Sequence, residues 1–85
     1  MKFRKFGSLD WNVSEIGLGC WQIGADWGNV SEEKANEVLQ SSFENGVNFF
    51  DTAELYSVPP TPDSYGKTEI MIGNWFKKRK NRDKI

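Results

Sequence analysis

The stretch that most constrains this chain is Gly46-Val47-Asn48-Phe49-Phe50-Asp51. Gly46 closes a pattern of helical periodicity, residues 47–50 form a short apolar run, and polarity returns abruptly at Asp51. So brief a run, with a helical pattern on either side, reads as a parallel strand buried on both faces. Asp51 then stands just past the strand's C-terminal end, and Tyr56 follows on the outgoing loop. A carboxylate and a phenol placed in this way suit proton transfer. A tyrosine titrates near pH 10 (about three units above neutral), so as an acid it needs a cation nearby, and a carboxylate can hold that cation in place.

The flanking segments carry clear helix signals. Ser31 suits an N-cap, Glu32 and Glu33 complement the positive end of the helix dipole, and Val30 can staple against Ala35. Ala35, Val38, Leu39, Ser42 and Phe43 fall on one face, and Asn45-Gly46 supplies the stop. Lys34, Glu37 and Glu44 make a solvated face. A second helix is expected over about 67–80, where Thr68, Ile72, Trp75 and Phe76 form a stripe and Gly73 permits close packing. Lys77, Lys78, Arg79 and Lys80 crowd its last turn, where positive charge is favoured. Between the two patterns, Pro59, Pro60 and Pro62 forbid helix and central strand alike; beside Tyr56 they either shape access or act as a rigid spacer.

Before the first helix, residues 2–6 alternate polar and aromatic, and Asp10-Trp11-Asn12 offers turn chemistry, which predicts a hairpin over 2–14. Residues 15–24 hold Gly17, Gly19 and Gly24, but a dinucleotide fingerprint would need glycine where Gln22 stands. A strand whose glycines admit backbone or cofactor is the better reading. Residues 81–85 read as a helix-to-strand turn and the opening of another strand. The resulting order is hairpin, strand, helix, strand, helix and the threshold of a further strand, an α/β pattern.

Composition excludes several classes. A net charge of -1 predicts no general attraction to nucleic acid or membrane, and Cys20 is alone, so neither an internal disulfide nor a Cys-rich metal site is expected. Histidine, the commonest metal ligand and general base, is absent from the 85 residues. The first residues carry charge without an apolar run behind it, so the default address is the cytoplasm.

Asp51-Thr52-Ala53-x-x-Tyr56 resembles the signature of aldo-keto reductases. Tyr56-Ser57-Val58-Pro59-Pro60-x-Pro62, continued by Gly66-x-Thr68-Glu69 and Gly73-Asn74-Trp75, is similar to the family's Tas-type branch. The resemblance implies the opening part of a (β/α)₈ TIM barrel, here the hairpin, β-α-β-α and the start of a third barrel strand. It implies NADPH-dependent reduction of a small carbonyl substrate to an alcohol, with hydride from the nicotinamide. Tyr56 would donate the proton, and Asp51 would position a lysine. Gly19, Cys20, Trp21 and Asp51 would lie against the cofactor, and Trp21 and Tyr56 would border the substrate. The alternative is that Trp21 packs in a core and Cys20 is an inert small hydrophobe. Tyr65 lies at the wrong distance from Asp51 to be the acid.

The family's lysine and histidine are expected on the third and fourth barrel strands, beyond Ile85. Lys84 would begin the third strand and so emerge at the opposite mouth from Asp51. About a third of a ~250-residue barrel should therefore be inactive alone, with open sheet edges that favour self-association. An incomplete gene product is one expectation. A non-catalytic remnant acting as a protein-interaction module is the alternative. Nucleic-acid binding through residues 77–84 is a third reading, with no stacking aromatics interleaved to support it.

Overall fold

The computed structural model describes residues 1–23, 31–56 and 61–85. The loop expected over 26–30, the staple from Val30, and Pro59 and Pro60 lie outside the described residues. Strands β1 (Phe3–Lys5) and β2 (Asn12–Ser14) form an antiparallel hairpin in the register Phe3↔Ser14, Arg4↔Val13, Lys5↔Asn12. Gly7 supplies the left-handed turn residue, and the Phe6 amide closes on the Trp11 carbonyl at 2.9 Å.

Helix α1 (Glu32–Glu44) starts where its cap chemistry dictates: the Lys34 amide donates to Ser31 Oγ at 3.1 Å. It ends at Asn45, whose Nδ2 donates to the Ser41 carbonyl at 2.8 Å, and at Gly46, which has φ 92. A Cβ at Gly46 would also stand 2.9 Å from Met1 Cβ, so both the turn and the space require glycine. Ala35 and Leu39 are fully buried, whereas Val38, read on the same face, is 39% exposed.

Strands β3 (Leu18–Gly19) and β4 (Phe50–Asp51) pair in parallel, with Leu18↔Phe50 and Gly19↔Asp51. The strand expected over 47–50 is therefore displaced and shortened. The Asn48 amide is drawn off the ladder to Ser14 Oγ, while Asn48 Oδ1 accepts from the Ser14 amide and Asn48 Nδ2 donates to the Asn12 carbonyl. These bonds lock the hairpin onto the segment before β4. Nor is that segment buried on both faces: Val47 is buried, but Phe49 is 37% exposed.

Helix α2 (Lys67–Arg79) presents Thr68, Met71, Ile72 and Trp75 inward. Gly73 does not mediate close packing, because it is exposed and a Cβ there would meet nothing within 4 Å. The helix ends at Lys80 in the left-handed region (φ 54), whose amide donates to the Phe76 carbonyl at 2.7 Å. Its last turn carries Lys77, Lys78 and Arg79. Beyond it the chain does not extend into a strand. Arg82–Lys84 forms a 3₁₀ turn, closed by Lys84 to the Asn81 carbonyl at 3.0 Å, with the Arg82 guanidinium 5.4 Å above the Phe76 ring. The local i→i+3 bonds satisfy backbone groups that a neighbouring strand would otherwise take.

Among the described residues a core joins β3, α1, β4 and α2: Cys20, Ile23, Ala35, Leu39, Met71, Ile72 and Trp75, with Leu18, Phe43, Phe50 and Phe76 packed against it. Among the described residues no helix is long and apolar enough to cross a membrane.

Candidate active site

The parallel ladder brings two chain segments to one rim. The Leu18 amide donates to the Phe49 carbonyl at 2.8 Å, and the Cys20 amide donates to the Asp51 carbonyl at 2.9 Å. Asp51 thus takes part in the last step of the ladder and is exposed there. The chain leaves through a turn in which the Tyr56 amide donates to the Ala53 carbonyl at 3.1 Å, and Tyr56 is half-buried. From β3 the chain turns at once, with the Ile23 amide on the Cys20 carbonyl at 3.1 Å.

The residues singled out around β3 divide by environment. Gly19 is exposed, and among the described residues a Cβ there would meet nothing within 4 Å. The tighter position is Gly17, where a Cβ would stand 3.1 Å from Phe49 Cδ1 and 3.4 Å from the Phe49 carbonyl oxygen, so the Phe49 ring would have to shift by a few tenths of an ångström to admit it. Trp21 is 44% exposed and Cys20 is 0% exposed. The Cys20 thiol donates to the Leu18 carbonyl at 3.7 Å.

Burial, with the Asp51 carboxylate as a second cause, pushes the Cys20 thiol up from 9.0 to about 11. At pH 8 the thiolate is then about 100-fold scarcer than in the unfolded chain. We expect iodoacetamide to alkylate the folded protein slower than the urea-unfolded protein by at least that factor. The sign for stability follows. The contribution is complete below the unfolded value near pH 9 and is lost as pH rises through the folded value, so stability falls between roughly pH 9 and 11.

Tyr65 is 54% exposed and sits beside Glu54, whose negative charge raises its pKa, with Glu69 adding to the effect. That direction opposes what an acid at neutral pH needs. Lys84 lines a groove together with Trp11, Asn12 and Val13 of the hairpin, Phe50, Ile72 and other residues. That groove and the cleft between α1 and α2 are lined by neither Asp51 nor Tyr56.

Thr68 is the residue that sequence reasoning undervalued. It was legible as one position of an apolar stripe, yet its hydroxyl donates to the Ile23 carbonyl and its amide donates to the Tyr56 carbonyl at 3.4 Å. The available signal was a hydroxyl at an otherwise apolar position in the first turn of a helix without a side-chain cap.

The model of the Aldo/keto reductase family matches residues 15–85. Protein tas of Escherichia coli (strain K12) is 35% identical over 85 residues, which is 100% of this chain and 24% of that protein. Protein tas of Shigella flexneri matches with the same identity and the same coverage. The chain spans about a quarter of the length of these curated relatives. By the family match over 15–85 and the identity to these relatives along its whole length, the chain belongs to the aldo/keto reductase family.

Proposed function

We propose that these residues open a (β/α)₈ barrel in a cytoplasmic oxidoreductase that reduces a small carbonyl substrate to an alcohol with NADPH. The observation that carries the reading is the parallel step Gly19↔Asp51. It sets the turn bearing Trp21 beside the strand end from which Tyr56 departs. Barrel enzymes build their sites at that end of the sheet.

In this reading Tyr56 gives a proton to the carbonyl oxygen, and Asp51 holds the ammonium of a lysine from a further strand, which keeps the phenol acidic enough to act. NADPH, when bound, supplies the hydride. The exposed Gly19 suits the approach of a flat ring to the backbone, and the exposed indole of Trp21 can border the substrate. Cys20 is fully buried and lies behind that wall, its amide and carbonyl bonded to Asp51 and Ile23. Residues that grip the phosphates are expected on late barrel loops.

The test is consumption of NADPH by the complete gene product with a panel of aldehydes, run beside the 85-residue segment. We expect turnover by the former and none above the buffer control by the latter. No turnover by the complete product with any carbonyl would contradict the reading, and turnover by the segment would contradict the missing-lysine argument. A second reading, a non-catalytic module that binds another protein, draws support from the groove of about 630 Å³ lined by Trp11, Phe49, Phe50, Ile72, Phe76 and Ile85 among others. An inactive complete product that captures a partner through that groove would favour it.

A further inference from the structure

A closed hydrogen-bonded circuit runs around the rim. The Cys20 amide donates to the Asp51 carbonyl at 2.9 Å, and the Ile23 amide donates to the Cys20 carbonyl at 3.1 Å. The Thr68 hydroxyl then donates to the Ile23 carbonyl, and the Thr68 amide donates to the Tyr56 carbonyl at 3.4 Å, the longest link. The Tyr56 amide donates to the Ala53 carbonyl at 3.1 Å, and the chain returns from Ala53 to Asp51.

Every hydrogen bond in the circuit but one joins backbone to backbone. The exception is the hydroxyl of Thr68, a residue 0% exposed in the first turn of α2. Gly66 caps that helix without a side-chain bond, so the first-turn amides need acceptors from elsewhere, and the Tyr56 carbonyl supplies one. A buried hydroxyl likewise needs an acceptor, and the Ile23 carbonyl is it. One residue of α2 therefore clamps the turn after β3 and the loop after β4 together.

We propose that Thr68 is a positioning residue of the rim. Its hydroxyl and amide hold the loop bearing Tyr56 against the turn after β3, and so fix the phenol relative to Asp51. The role rests on the reductase reading of Asp51 and Tyr56. Thr68 itself is too deeply buried to touch substrate. Its effect is geometric, and a displacement of about 1 Å at a reacting group costs on the order of 100-fold in rate.

Three variants of the complete gene product, assayed with NADPH and an aldehyde, test the assignment. Thr68→Val keeps the shape and loses the hydroxyl, and Thr68→Ser keeps the hydroxyl. Met71→Ala removes buried packing from the same helix without entering the circuit. We expect Thr68→Val to lower kcat about tenfold or more with KM for the aldehyde changed less than about twofold, and Thr68→Ser to stay within about threefold of the parent. Met71→Ala should lower the melting temperature and leave kcat in place. Equal kcat losses in Thr68→Val and Met71→Ala, or in both Thr68 variants, would overturn the role.

If Thr68→Val does not fold, amide exchange of the parent decides. The Cys20, Ile23, Tyr56 and Thr68 amides should exchange through one common opening, and independent rates for Ile23 and Tyr56 would overturn the circuit. A parent that reduces no aldehyde defeats the reductase reading and the positioning role together. An active parent whose Thr68→Val variant turns over normally defeats the positioning role alone.

Discussion

Tyr56→Phe should lower carbonyl reduction by about 10²–10⁴-fold in kcat while leaving NADPH affinity within about threefold, because it deletes the proposed proton donor and almost no volume. Asp51→Asn should cause a loss of the same order by a different route. It keeps the shape of the side chain and removes the charge that, in the proposed function, would hold a lysine beside the phenol. Asp51→Asn also has a readout that does not depend on turnover. The Asp51 charge is the second cause of the raised Cys20 pKa, so its removal should bring the thiol part of the way down. Faster alkylation of Cys20 in Asp51→Asn than in Tyr56→Phe is the expected result. Full turnover in Tyr56→Phe would remove this phenol from the chemistry.

The largest effect on stability should come from Trp75→Ala. Trp75 is 1% exposed, and its ring packs 5.3 Å from Phe76, 5.9 Å from Phe50 and 6.0 Å from Phe43. It is therefore a side chain through which α2 meets both α1 and the strand that carries Asp51. Loss of a buried aromatic of this kind costs about 3–5 kcal/mol, against a total of about 5–15 kcal/mol for a typical domain. Urea unfolding should show that loss as a lower midpoint at unchanged slope. Trp11→Ala is the control: that indole is 60% exposed, and its removal should move stability by no more than about 0.5 kcal/mol.

The helices were legible because their signals are local. Ser31 caps α1, Asn45 and Gly46 end it, and the positions of Thr68, Ile72 and Trp75 give the buried face of α2. What eluded sequence reasoning depends on partners far along the chain. Asn48 looks like one residue of an apolar run, yet its amide and side chain answer Ser14 and Asn12, more than thirty residues away. That diversion moves the ladder to Phe50 and Asp51. The 3₁₀ turn at Arg82–Lys84 follows from a left-handed Lys80, a conformation that no residue type at that position announces.

The candidate site divides in the same way. Asp51 and Tyr56 could be singled out because a short strand beside a polar loop is a local pattern. The clamp at Thr68 could not, because Ile23 and Thr68 meet only after α1 and β4 have folded between them.

The most direct measurement is the set of cross-strand amide contacts between residues 18–20 and 49–51, read from nuclear Overhauser effects in isotope-labelled protein. A parallel ladder places the Leu18 amide near Phe49 and Phe50 and the Cys20 amide near Asp51, with the Tyr56 amide next to Ala53. If instead Leu18 lies near Asp51 and Cys20 near Phe49, the strands run antiparallel, and the proposed placing of Asp51 and Tyr56 at one rim fails.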